Sequence, residues 1–445
     1  MLSLSRAYFW IFFYMLIAQI MAPTLFKSAD ELGVLFMAML IALDLTINRD
    51  YKRYLGLFGV VAVMAVYAVY SITVLNFNTP KAVLMDFVIE LKPFVAFFIG
   101  YSIKPQFKPW ELQVLKGTTR AIIVLLILLF VTSTVEDVLF HVAYFGSVAF
   151  ICFLIHLLAS VRRDGTIARS DIYCALGILA VGLLCTRSKY YGEVVISLFM
   201  LLIYKPGMFR KISAKQVGIV VAVIVAVLIV SWSKINYYFL TGNGDTFDAD
   251  TAQTFARPAL LLGMFMILCD YPLLGSGLAS YATYASTPSV NYSAVYAQYD
   301  LNKVFGLSEQ YPNFICDTFY ASFAQFGLIG IALFIYFFVW VFQKLRLVLH
   351  RENRYYFMVG VLTIVTIMIE NVGGTFFTQA GGLITMLLLG QIVAPFRNIS
   401  TEERKAALTG LYEQGCHRQE LKVQPKEITN KTTQQSIWKK TTASI

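Results

Sequence analysis

Ionisable residues inside long apolar runs are the first candidates for chemistry in this chain. Each costs at least ~2.5 kcal/mol at the centre of a bilayer, so its presence asks for a reason. The run from Lys81 to Tyr101, KAVLMDFVIELKPFVAFFIGY, holds Asp86, Glu90 and Lys92. Asp86 and Glu90 are spaced to put both carboxylates on one helix face. Lys92 lies about ten residues from the outer end, roughly 15 Å deep, where its amine cannot easily reach water. Residues two apart do not face each other, so ion pairing here means partners on other helices. The other reading is that these groups line a polar cavity, and the sequence leaves both open.

The second group is CTRSKYYGEVV, with Arg187, Lys189, Tyr190, Tyr191 and Glu193 at the end of an apolar run. An arginine fork reads phosphate oxygens bidentately, and tyrosine hydroxyls add donors without charge. An aromatic belt with a cationic anchor is the plainer explanation, and it accounts for the tyrosines better than for Arg187. Arg257 precedes Pro258, which is expected to open a helix over PALLLGMFMIL, so Arg257 would stand beside a helix N-terminus that favours anions. GDTFDAD carries Asp248 and Asp250 at a spacing that metal-binding carboxylates use, yet such Asp/Gly clusters are ordinary turn material, and a turn is the expectation.

The elements that position these residues follow from composition. The chain has 445 residues, 58% hydrophobic and 14% charged, which excludes an ordinary soluble domain. Its net charge of +10 sits in short loops between apolar runs, the pattern of cytoplasmic anchoring and not of nucleic-acid binding. A hydrocarbon core ~30 Å thick asks for ~20 apolar residues per helix, and on that rule the chain reads as an all-α polytopic membrane protein with about twelve spans. They are 8–25, 32–47, 55–75, 82–103, 113–133, 141–160, 171–186, 190–206, 215–232, 318–343, 355–370 and 379–395. The expected divisions are nine spans in 1–232, one large extracytoplasmic loop in 233–317, three spans in 318–395 and a basic, disordered cytoplasmic tail in 396–445.

With the N-terminus in the cytoplasm, the basic loops around Lys52, Lys108, Arg163, Lys211 and Arg351 fall inside. Outside remain Lys27, Lys81, Arg187, Lys189, Lys234, Arg257 and Lys303, so the long loop faces out. The Pro258–Leu268 run is too short to span and reads as a helix at the outer membrane surface. No cleavable signal is expected, since the first apolar run leads straight into further spans. Six scattered cysteines give no metal spacing; Cys269 and Cys316 could pair in an oxidising compartment or remain separate thiols.

In motif order the chain resembles the O-antigen polymerase and ligase superfamily of bacterial polysaccharide assembly. The matching residues are Thr186-Arg187-Ser188 at an outward helix end, Arg257 in the loop, Pro272-Leu273-Leu274-Gly275-Ser276-Gly277, and Gly327-Leu328-Ile329-Gly330. Ligases of that family usually carry a His-Asn pair ahead of the last motif; this chain has Cys316-Asp317, which favours a polymerase. The resemblance implies a GT-C-like fold and a metal-independent glycosyltransferase without cofactor in the bacterial inner membrane. Its donor is a polyprenyl-pyrophosphate-linked oligosaccharide, and its partners are the bilayer, a chain-length regulator and a flippase.

On that basis Arg187 and Arg257 are the catalytic expectations, stabilising the leaving pyrophosphate, with Asp317 and Glu309 as candidate bases. Lys92, Lys189, Tyr190, Tyr191, Glu193, Gly275 and Gly277 are the substrate-binding expectations. Tyr281, Tyr284, Tyr292, Tyr296 and Tyr299 would suit sugar stacking or, equally, interfacial burial. The alternatives are an O-antigen ligase and, from another class, a secondary transporter or lipid-linked oligosaccharide flippase using Asp86, Glu90 and Lys92 as a coupling site.

Overall fold

The computed structural model describes residues 3–21, 24–162, 165–204, 255–351 and 354–396, with single positions between 218 and 232. The ninth expected span, the first part of the loop with Asp248 and Asp250, and the tail from Arg397 lie outside the described residues. The described residues are helical with no strand. In chain order the helices are α1 Leu4–Met21, α2 Ala29–Asn48, α3 Leu55–Tyr70, α4 Pro80–Ile103, α5 Pro109–Val131, α6 Val135–Leu139 and α7 Val142–Ala159. They continue with α8 Arg169–Gly182, α9 Ser188–Leu198, α10 Ala256–Asp270, α11 Gly327–Arg351, α12 Arg354–Glu370 and α13 Ala380–Val393.

Six helical segments are long and apolar enough to cross a membrane, namely Leu4–Met21, Tyr51–Leu75, Pro109–Val131, Val142–Ala159, Gly327–Val348 and Arg354–Gly373. Helix α4 is long enough but carries the charges of Asp86, Glu90 and Lys92, while α8, α9 and α13 are short. Burial separates centre from rim: 83% of α7 is buried, against 17% of the α11 segment. A helix apolar on all sides belongs inside a bundle when neighbours cover it, as α5, α8 and α12 cover α7. Helix α4 packs most closely on α13, where Gly390 lets the α4 backbone at Phe97 approach directly. It starts cleanly because Thr79 caps Ala82 N–H and Pro80 occupies the first turn.

Several expected boundaries shift, and two of the shifts bear on the site. Helix α10 begins at Ala256, not at Pro258, so Arg257 lies within its first turn. The span expected from 318 begins at Gly327, because the residues before it are used otherwise. Tyr320–Gln325 forms a tight 3-10 turn, and its end is clasped by the P-L-L-G-S-G turn. Ser276 and Gly277 donate their N–H groups to the Ala324 and Gln325 carbonyls at 2.9 and 3.0 Å; Leu328 and Ile329 donate back to Pro272 and Leu273 at 2.8 and 3.1 Å. Gly275 at φ +70 and Gly327 at φ +60 lie backbone against backbone, where a Cβ on either would collide with main-chain atoms.

The clasped turn is bolted to the bundle. Ser71 Oγ accepts from Leu278 N–H and Asp86 Oδ2 accepts from Ala279 N–H, each at 2.7 Å. Asn78 Nδ2 donates to the Ala279 and Asn291 carbonyls at 2.7 and 3.0 Å. Beyond it the loop builds its own core from Leu260, Ile267, Tyr281, Tyr296, Leu301, Leu307 and Ile315. That core takes Tyr281 and Tyr296 out of any sugar-stacking surface: both are fully buried, and Tyr281 donates its hydroxyl to the Leu260 carbonyl. Tyr292 stacks on Tyr296 at 5.1 Å, whereas Tyr284 remains exposed.

Candidate functional site

Three cations reach one end of the bundle, each held by a residue from a different element. Thr186, in the left-handed region at φ +51, breaks the chain between α8 and α9 and leaves Arg187 at the N-cap of α9. From there Arg187 Nη2 meets His141 Nε2 at 3.1 Å, His141 being the N-cap of α7. Lys189, in the first turn of α9, pairs at 2.5 Å with Glu370, the last residue of α12. Arg257, in the first turn of α10, pairs at 2.8 Å with Asp317.

The turn after α12 joins these pairs into one place. Glu370 holds Lys189, and three residues on, a Cβ at Gly373 would lie 3.6 Å from Arg257 Nη2. The same turn accepts the Phe319 N–H on the Asn371 and Gly374 carbonyls, each at 3.1 Å, which fixes the chain just after Asp317. His141 closes the ring, lying within electrostatic range of Arg187, Lys189 and Asp317. Burial and the Arg187 charge hold the His141 pKa below its ordinary value. Tyr144, one turn into α7, donates its hydroxyl to Gln379 Oε1 at 3.1 Å and lies near Glu370 and Cys316.

The pairs are half-open to solvent, with about a quarter of the Arg257 and Asp317 side chains exposed (27% and 28%) and 21% of Lys189. Arg187, Lys189 and Arg257 bring three positive charges to one place, with Asp317 and Glu370 as carboxylates paired to two of them. Forked guanidinium groups at Arg187 and Arg257 match phosphate oxygens, and Lys189 adds a point charge.

Other candidate residues lie elsewhere or do other work. Lys92 joins α4 to α2 through Asp30 at 2.7 Å and Glu31 at 3.3 Å, the interhelical pairing foreseen as one of its two roles. Tyr190 is buried against Gly182 and donates its hydroxyl to the Leu179 carbonyl at 2.8 Å, while Tyr191 is half-buried. Glu193 is buried beneath Lys189, within electrostatic range of it and of Glu370. Gly275 and Gly277 belong to the clasp, and Glu309 is exposed on the loop near Tyr292. Cys269 and Cys316 are both free thiols; burial pushes Cys316 up to about 12, with the negative charges of Asp86, Asp317 and Glu90 adding to the shift.

His141, Glu370, Tyr144 and Gln379 are the members that sequence reading overlooked. Their signals were modest: a histidine directly before an apolar run, and a lone acid closing another in TIMIENVGG. The chain matches no protein-family model, and no curated protein is similar to it.

Proposed function

We propose that this protein is a polysaccharide polymerase of the outer face of the bacterial inner membrane. In this reading it transfers a glycan from polyprenyl pyrophosphate to a second lipid-linked repeat unit. The chain crosses the bilayer about twelve times with both termini cytoplasmic. Helix α10 lies along the outer surface with Leu262, Phe265 and Met266 exposed toward lipid. A GT-C-like arrangement, a flippase and a chain-length regulator belong to the same reading.

The observation that carries it is the meeting of Lys189 and Arg257 at the Glu370–Gly374 turn, with Arg187 joined to them through His141. A pyrophosphate leaving group develops negative charge as the glycosidic bond breaks, and fixed cations in a partly dry site stabilise it. The acceptor hydroxyl attacks the anomeric carbon, and the electron pair of the broken C–O bond passes to the pyrophosphate oxygen. When Arg257 turns to the pyrophosphate, Asp317 is released from its ion pair and takes the hydroxyl proton.

Chain length in cells carrying Arg187→Ala or Arg257→Ala tests the reading. Single repeat units on lipid carrier or core, without long chains, are the expected outcome. Normal length distributions in both variants would sink it, and units trapped on the cytoplasmic side would point to a flippase instead. A coupling site built on Asp86 and Lys92 has less to recommend it, since the first holds the loop backbone and the second holds α2.

A further inference from the structure

Below the cation cluster, the contact between α9 and α12 carries polar residues that the proposed reaction leaves unused. Lys189, Glu193 and Ser197 recur at helical spacing along one face of α9, and Thr366 and Glu370 do so on α12. Lys189 meets Glu370, while Glu193 faces Thr366 and lies within electrostatic range of both Glu370 and Lys189. From the turn before α9 and from α9 itself, Cys185 and Tyr190 also face Glu193.

Glu193 is fully buried, and neither of its oxygens has a hydrogen-bond donor; the second oxygen of Glu370 lacks one as well. The nearest hydroxyls are committed elsewhere, and Ser197 Oγ, one turn on along α9, makes no hydrogen bond to either carboxylate. Tyr190 donates to the Leu179 carbonyl and Thr366 donates to the Leu362 carbonyl, so Thr366 can only accept. Two ionised carboxylates beside one lysine would leave a buried negative charge without a donor, which protein interiors avoid. A proton on Glu193 removes that charge and turns an acceptor-only group into a donor for Thr366 Oγ1.

We propose that Glu193 is a positioning residue of the anion site: it carries a proton while Glu370 holds Lys189, and shares it with Glu370 when pyrophosphate draws Lys189 away. The second half rests on the anion reading above; the first stands without it. The proton stays within the carboxyl pair, so no other donor or acceptor is consumed. Glu370, left without its lysine, would otherwise hold Lys189 back against every arriving anion.

Infrared difference spectroscopy on the full chain in lipid nanodiscs, with inorganic pyrophosphate as probe, tests both halves. At neutral pH a protonated-carboxyl band is expected that Glu193→Gln abolishes. In Glu370→Gln the single remaining carboxylate faces Lys189 alone, ionises, and the band disappears although Glu193 is still present. A band that survives in both variants, or is missing from the unaltered protein, overturns the proposal. Pyrophosphate should shift the band in the unaltered protein and leave it unmoved in Lys189→Met. Binding that depends on Arg187 and Arg257 without any shift overturns the sharing while leaving the anion reading intact. Failure to bind, or binding indifferent to both arginines, removes the anion reading and the sharing with it, and the resting band still decides where the proton is.

Discussion

Charges on α4 and charges around the Glu370–Gly374 turn occupy the same apolar protein and are satisfied in opposite ways. Asp86 and Lys92 are almost wholly buried, with partners belonging to the fold: the Ala279 N–H of the loop, and Asp30 at the start of α2. Arg187, Lys189 and Arg257 keep part of their surface open, and their partners are His141 and the buried Glu370 at helix ends and Asp317 in the loop. A buried charge with fixed partners holds elements together; a half-open charge can exchange its partner for a ligand. Helix α4 thus acts as the mast to which the loop is tied, and the cations as the part left for chemistry.

The largest effect is expected where that contrast predicts lost chemistry without lost fold. Arg257→Ala should lower the rate of chain extension by about 10²–10³, the usual cost of removing one preorganised charge from a developing anion. The purified protein with defined lipid-linked repeat units gives the rate, and its unfolding temperature should stay close to that of the unaltered chain. An equal fall in both quantities would erase the distinction between the two regions. Asp317→Asn comes next, at about 10² in rate if the carboxylate accepts the hydroxyl proton. Its half-open ion pair contributes only about 0–1 kcal/mol to stability, so a large drop in unfolding temperature would argue for a structural role instead.

On α4 the signs reverse. Lys92→Met leaves Asp30 buried without its cation and should cost about 3 kcal/mol, the low end for a broken buried pair because Asp30 also sits in the first turn of α2. Extension per folded molecule should change by less than about twofold, since no residue of the cation cluster contacts Lys92. A strong rate defect in stable Lys92→Met protein would return Lys92 to the substrate site.

How far the sequence was legible follows the same line. Apolar run lengths located helices in every expected span that falls within the described residues, because twenty-residue periodicity is local information. Arg187, Lys189 and Arg257 stood out as cations at the ends of apolar runs, and Asp317 through the resemblance. Their partners did not, because no spacing rule links His141 to Arg187 or Glu370 to Lys189 across forty-six and 181 positions. Tyr190 and Tyr281 looked like surface aromatics from their polar neighbours, yet each fills a space opened by a glycine, Gly182 and Gly263. Gly275 advertised a tight turn, but only the fold shows that its missing side chain makes room for the backbone of another segment.

The smallest expected effect concerns His141, and its sign can be worked out. Ala143 N–H points at Nδ1 and Arg187 Nη2 at Nε2, each at 3.1 Å, so both ring nitrogens meet donors. A neutral imidazole can accept at one of them; an imidazolium can accept at neither and would repel Arg187. Burial and Arg187 accordingly lower its pKa in the folded chain, whereas the unfolded chain titrates near the ordinary value of about 6.5. Between those two values the unfolded state binds more protons, so stability falls as pH drops below about 6.5 and levels off once the folded histidine charges. Because most of His141 is exposed, the change should be small, but it should coincide with tighter anion binding, since the imidazolium releases Arg187 and adds a positive charge to the site. His141→Gln keeps an acceptor for Arg187 and cannot titrate. Pyrophosphate affinity in that variant should therefore be flat from neutral pH down through the histidine range, where the unaltered protein gains affinity; parallel curves would assign the pH dependence to another group.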